Sequence, residues 1–79
     1  MQLARYYPDD LLNADQAADH AGVRPSTIRQ WHHRGLLHPA IPGDGRTTRH
    51  LYGRQDVDAA IAELARREAE REAAWQRAA

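Results

Sequence analysis

The sequence predicts a small, mainly helical fold: two short helices joined by a tight turn, a hairpin with two short strands, and one long terminal helix. Three observations carry this. Residues 14–37 show two helical stretches separated by Gly22-Val23-Arg24-Pro25; residues 39–52 place short strand-like runs on either side of Pro42-Gly43-Asp44-Gly45-Arg46; and residues 54–78 are rich in Ala, Glu and Arg without a breaker. With 79 residues and no Phe, the chain has room for one domain with a small core. Burial must then fall on Leu11, Leu12, Val23, Ile28, Trp31, Leu36, Leu37, Ile41, Leu51, Tyr52, Val57, Ile61 and Leu64.

Each element has a local reason. Residues 1–10 read as an N-terminal arm, with Tyr6-Tyr7 ahead of a Pro8-Asp9 turn. Leu11-Leu12 is a short extended segment leading to Asn13, a good N-cap, and Gln16 three residues on completes a capping box. The first helix should run to about His20, with Ala14, Ala17, Ala18 and Ala21 on an inner side that lets a second helix come close. Gly22 supplies the positive φ that ends it. Pro25 fits the first position of the second helix, where its missing N–H costs nothing. Ile28 and Trp31 share the buried stripe of that helix, and Gly35 stops it. In the long helix Asp56 and Asp58 sit in the favourable first turn. Val57, Ile61 and Leu64 form its apolar stripe, and Trp75, eighteen residues after Val57, faces the same way. The expected division is an arm over 1–10, a folded unit over 11–65 and a helical extension over 66–79.

Net charge is zero, but its distribution is uneven. Residues 1–19 carry −3, residues 20–54 carry +5 with Arg24, Arg29, Arg34, Arg46, Arg49 and Arg54 against Asp44, and residues 55–79 carry −2. All five histidines also fall in the basic block. A basic centre between acidic flanks is the footprint of a polyanion partner. Helix, tight turn, helix and hairpin together form a winged helix-turn-helix, whose second helix fits the major groove of double-stranded DNA.

Leu11-Leu12-Asn13-Ala14-Asp15-Gln16-Ala17-Ala18, the run Gly22-Val23-x-x-x-Thr27-Ile28-Arg29-x-Trp31, and Gly35-Leu36-Leu37-x-Pro39 resemble the winged helix-turn-helix of the MerR superfamily. Leu51-Tyr52-Gly53-Arg54-Gln55-Asp56-Val57 is similar to the join after the wing in that family. The resemblance covers about residues 11–64. Closest in length are its small stand-alone members, the BldC-like regulators and the excisionases of phages and integrative elements. It implies that Thr27, Arg29 and Gln30 lie on the recognition helix, and Arg46, Arg49 and His50 on the wing. Full-length members add a dimerising coiled coil and an effector domain, often with metal-binding cysteines; this chain has no Cys and only a two-turn apolar seam.

The residues themselves support the same partner. Arg29 suits bidentate contact with guanine, or else a phosphate contact or a salt bridge; Gln30 suits adenine. Ser26 and Thr27, at the positive end of the helix, suit a phosphate, and Thr27 equally suits a cap. Arg24, His33 and Arg34 complete the candidate DNA-binding set, with Arg46, Arg49 and His50 on the wing. Trp31 is assigned to the core by its spacing from Ile28. His32, His33 and His38 lack the cysteine or acid that would complete a metal site, so no metal and no cofactor are expected. Their protonation beside phosphates would tighten DNA binding at pH 6 relative to pH 8. The acids after Asp56 read as a solvated helix face with pairs such as Glu63–Arg67. With Ser26 as the only serine and no Cys, a nucleophile has no material, and an enzyme is not expected.

The expected function is therefore sequence-specific DNA binding by a transcriptional regulator, with an excisionase and a protein-interaction module anchored by Trp75 as alternatives. A recombinase, RNA polymerase or a second copy on DNA are the candidate partners. Absent cysteines, signal peptide and membrane-length apolar run point to the cytoplasm, on the nucleoid.

Overall fold

A computed structural model describes residues 10–44 and 47–78. In chain order it contains β1 (Leu11–Leu12), α1 (Ala14–Ala21), α2 (Pro25–His33), β2 (Tyr52–Gly53) and α3 (Arg54–Ala78). The expected arm lies almost wholly outside the described residues, as do Gly45 and Arg46.

The caps explain where the first two helices begin and end. Asn13 Oδ1 accepts the Gln16 N–H at 2.8 Å while Gln16 Oε1 accepts the Asn13 N–H at 2.9 Å, the reciprocal capping box. Gly22 closes α1 at φ 72°, and the Val23 N–H returns to the Ala18 carbonyl at 3.0 Å. Pro25 occupies the start of α2 behind Arg24, which serves as N-cap without a side-chain hydrogen bond. Thr27, read from sequence as a phosphate contact or a cap, therefore does not cap the helix. Gly35 at φ 81° lets the Leu36 and Leu37 amides turn back to the Trp31 carbonyl at 2.9 and 3.3 Å.

One buried cluster joins the elements: Leu12, Ala17, Ala18, Ile28, Trp31, Leu37, Tyr52, Val57 and Ala60. Ala17 and Ala18 are fully buried, as small residues at a close helix–helix approach must be. On α3 the inner positions are Val57 and Ala60, with Leu64 partly buried. Ile61, expected in the stripe, stands exposed because Ala60, a third of a turn away, faces the core instead.

The hairpin is the wing, and its pairing is spare. Ile41 and Leu51 form one antiparallel bridge, while residues 47–50 bend rather than run as a strand. The returning chain then pairs with β1, Leu11 opposite Gly53 and Leu12 opposite Tyr52. The wing is thus anchored at its base to the segment that precedes α1. From Arg66 to Ala78 all residues of α3 are exposed, and the helix runs on past the body of the protein, whose longest dimension is 50 Å. Glu63 holds this stretch by accepting from Arg66 at 2.6 and 3.0 Å and from Arg67 at 2.9 Å, which pulls its carboxyl down to about 2. No helix among the described residues is long and apolar enough to cross a membrane.

Replacing Asn13 by Ala removes one half of the capping box, so stability should fall by about 1 kcal/mol. For a domain of this size that lowers Tm by about 4–8 °C in thermal unfolding. An unchanged Tm would show that the box does not define the start of α1.

Candidate nucleic-acid interface

Burial of Ile28 and Trp31 fixes which side of α2 faces out. At about 100° per residue, Ser26, Arg29, Gln30 and His33 fall within one arc of roughly 100° opposite that pair. All four are exposed. Thr27, half-buried, and Arg34, exposed, lie at the edge of the arc; Arg24 and Arg34 bracket the helix at its two ends.

Beside this arc lies an open cleft of about 650 Å³ lined by Ala14, Asp15, Arg29, His32, His33, Arg49, His50 and Tyr52. It brings residues of α2 and of the wing to a common surface: Arg29 and His33 from α2, Arg49 and His50 from the wing. Arg46 lies outside the described residues. Arg54, the last cation of the basic block, sits instead at the head of α3 with Asp10 at 3.8 Å. The cleft has one carboxylate, Asp15, which reaches Arg49 at 3.6 Å. Both partners are largely exposed, so this long ion pair is weak and leaves Arg49 available to a stronger anion.

Three aromatic side chains form the floor. The Tyr52 hydroxyl and His32 Nδ1 share a hydrogen bond at 3.2 Å, and the His32 and His50 rings meet edge to face with centroids 4.9 Å apart. Burial, with the neighbouring His50, His38 and His33, pushes the His32 imidazole below its ordinary value. Burial also pushes the Tyr52 phenol up, against the pull of Arg29. Both effects favour the neutral form of each partner. His32 is thus removed from the rings that could gain charge beside phosphates, whereas His33 stays exposed. Sequence reading weighs His32 as a metal ligand and as a ring that gains a proton beside phosphates, and Tyr52 as core. The missed signal is that position 32 lies one turn after Arg29 on the wing side of α2.

The wing loop is tied by short-range bonds. Asp44 Oδ1 accepts the Thr47 and Thr48 N–H groups at 2.7 and 2.9 Å, and the Asp44 N–H donates to Thr48 Oγ1 at 3.0 Å. Gly43 passes so close to the returning strand that an added Cβ would lie 2.5 Å from the Thr48 carbonyl oxygen. No group of three or more His, Cys, Asp or Glu among the described residues could hold a metal ion.

A helix-turn-helix with a wing, an exposed polar arc on its second helix and a basic cleft between the two defines a class of DNA-binding domain. The chain belongs to the MerR HTH family of regulatory proteins: residues 12–60, more than half of it, match that family. The family is one of DNA-binding regulators. No curated protein and no solved structure matches the chain.

Two outcomes test the site's chemistry. The His32 ring, followed by NMR, should titrate below the ordinary 6.5, so its contribution to stability is complete above that value and is lost as pH falls through the folded-state midpoint. A midpoint at or above 6.5 would remove the buried, neutral assignment. Gly43→Ala should distort the wing backbone while leaving the helical core folded, read as changed amide shifts over residues 43–50 with unchanged helical circular dichroism. Unchanged wing shifts would show the loop can yield.

Proposed function

We propose that the chain binds double-stranded DNA sequence-specifically and regulates transcription. The observation that carries this reading is the shared surface of the α2 arc and the wing, where Arg29, His33 and Arg49 open onto one cleft. Arg29 and Gln30 sit where a major-groove helix presents base-reading side chains, to guanine and adenine respectively. Ser26 and Thr27 lie in the first turn of α2, next to an uncapped helix start that favours a phosphate. Arg24 and Arg34 reach the backbone on either side of the groove, and Arg46 and Arg49 on the wing enter the adjacent minor groove or hold its phosphates. The working location is the nucleoid.

An excisionase would use the same surface. Binding to several direct repeats with strong bending, and contact with a recombinase, favours that alternative; a single operator overlapping a promoter favours the regulator, whose partner is RNA polymerase. A second reading has its own observation: Trp75 is 72% exposed on the part of α3 that leaves the body. Under it, the distal helix anchors a partner protein and the folded unit is a scaffold.

Binding to duplex from the chain's own genomic neighbourhood separates these. Arg29→Ala and Arg49→Ala should each weaken DNA binding, by about tenfold for a lost charged hydrogen bond, while Trp75→Ala leaves affinity for a single site intact. With about six arginines on phosphate, log K should fall with log salt at a slope near −5, and each lost phosphate contact should reduce it by about one. Unchanged affinity in both arginine variants would favour the interaction module.

A further inference from the structure

We propose that His50 is a positioning residue that pins the wing to α2 by accepting the Gly43 N–H, rather than a side chain that touches DNA. Its consequence for binding rests on the function proposed above; its geometry does not. The Gly43 N–H donates to His50 Nδ1 at 2.9 Å across the base of the wing loop. The same ring packs edge to face on His32, which Tyr52 holds through its hydroxyl. A continuous path therefore runs from the Gly43 turn through His50 to α2 and β2.

This path matters because it ties the Gly43 turn to α2, beyond the base of the wing that β1 and β2 already hold. The Ile41–Leu51 bridge and the β1–β2 pairing hold the base, Arg49 reaches Asp15 of α1 through a long, exposed ion pair, and the Asp44–Thr47–Thr48 bonds shape the turn. His50 is the wing side chain that does both: it bonds the turn and packs on α2. Arg49 gains a defined position from it, because Gly43 lies against the backbone of Thr48 and Arg49, directly before His50.

The bond also fixes the chemistry of the ring. Nδ1 accepts, so the neutral ring carries its proton on Nε2. The charged and titratable groups facing the ring are Asp15 from α1, Arg29, His32 and His33 from α2, Arg49 from the wing and Tyr52 from β2. A direct DNA contact makes the opposite demand, since it uses Nε2.

Two isosteres separate the roles. Asn places its carbonyl oxygen near the position of Nδ1 and does not titrate; Gln reaches the position of Nε2. In the free chain without DNA, the Gly43 amide of the wild type should be protected from exchange at pH 7.5. His50→Asn should keep that protection, and His50→Ala and His50→Gln should lose it. On duplex DNA, His50→Asn should bind within about twofold of wild type, and His50→Ala and His50→Gln about tenfold more weakly, the effect of one lost hydrogen bond. A Gly43 amide indifferent to His50→Ala overturns the proposal. So does a His50→Gln variant that binds as wild type while His50→Asn fails. A wild type that binds no duplex, yet shows the Gly43 pattern, upholds the pin and removes the DNA function.

Discussion

Ile28 and Trp31 lie three residues apart in the nine-residue α2, and their burial sets the rotation of that helix about its axis. Both pack into a cluster closed by Ala17 and Ala18 on α1, Val57 and Ala60 on α3, and Tyr52 on β2. A helix held this way has no freedom to turn its polar arc. Ser26, Arg29, Gln30 and His33 therefore face solvent as a set, and the small alanines of α1 bring the supporting helix close enough to make the arrangement stiff. In a domain of 79 residues, with no disulfide, that cluster supplies most of the rigidity the outer face has.

The wing depends on the same cluster from its other side. Tyr52 is buried, pairs with Leu12 in the two-stranded sheet, and carries the hydroxyl that meets His32. The strand that brings Arg49 back from the turn thus ends in the core. Arg29 and Arg49, twenty positions apart in sequence, share a cleft because both are one short step from residues that cannot move. The single carboxylate there, Asp15, is exposed and distant enough to screen Arg49 without cancelling it.

Much of this was legible in the sequence because it is local. Asn13 with Gln16, Gly22, Pro25 and Gly35 each mark a helix end through backbone geometry that few other residues permit, and the structure places them as expected. Ile28 and Trp31 follow from period alone. What escaped is non-local. Leu11-Leu12 reads as extended, but nothing nearby says that its partner is Tyr52-Gly53, some forty residues on. Ile61 is the more apolar neighbour of Ala60, yet the close approach of α3 selects the smaller side chain for the core. The histidines at 32 and 50 carry no pattern that announces their contact, which exists only once the wing has folded back on α2.

Amide chemical-shift mapping with a duplex from the chain's genomic neighbourhood addresses the central claim most directly. Shifts should concentrate on residues 24–34 of α2 and its flanks and on residues 47–50 of the wing, with α3 beyond Leu64 silent. Perturbations confined to that distal helix, or spread evenly over the molecule, would contradict a DNA-binding face built from α2 and the wing.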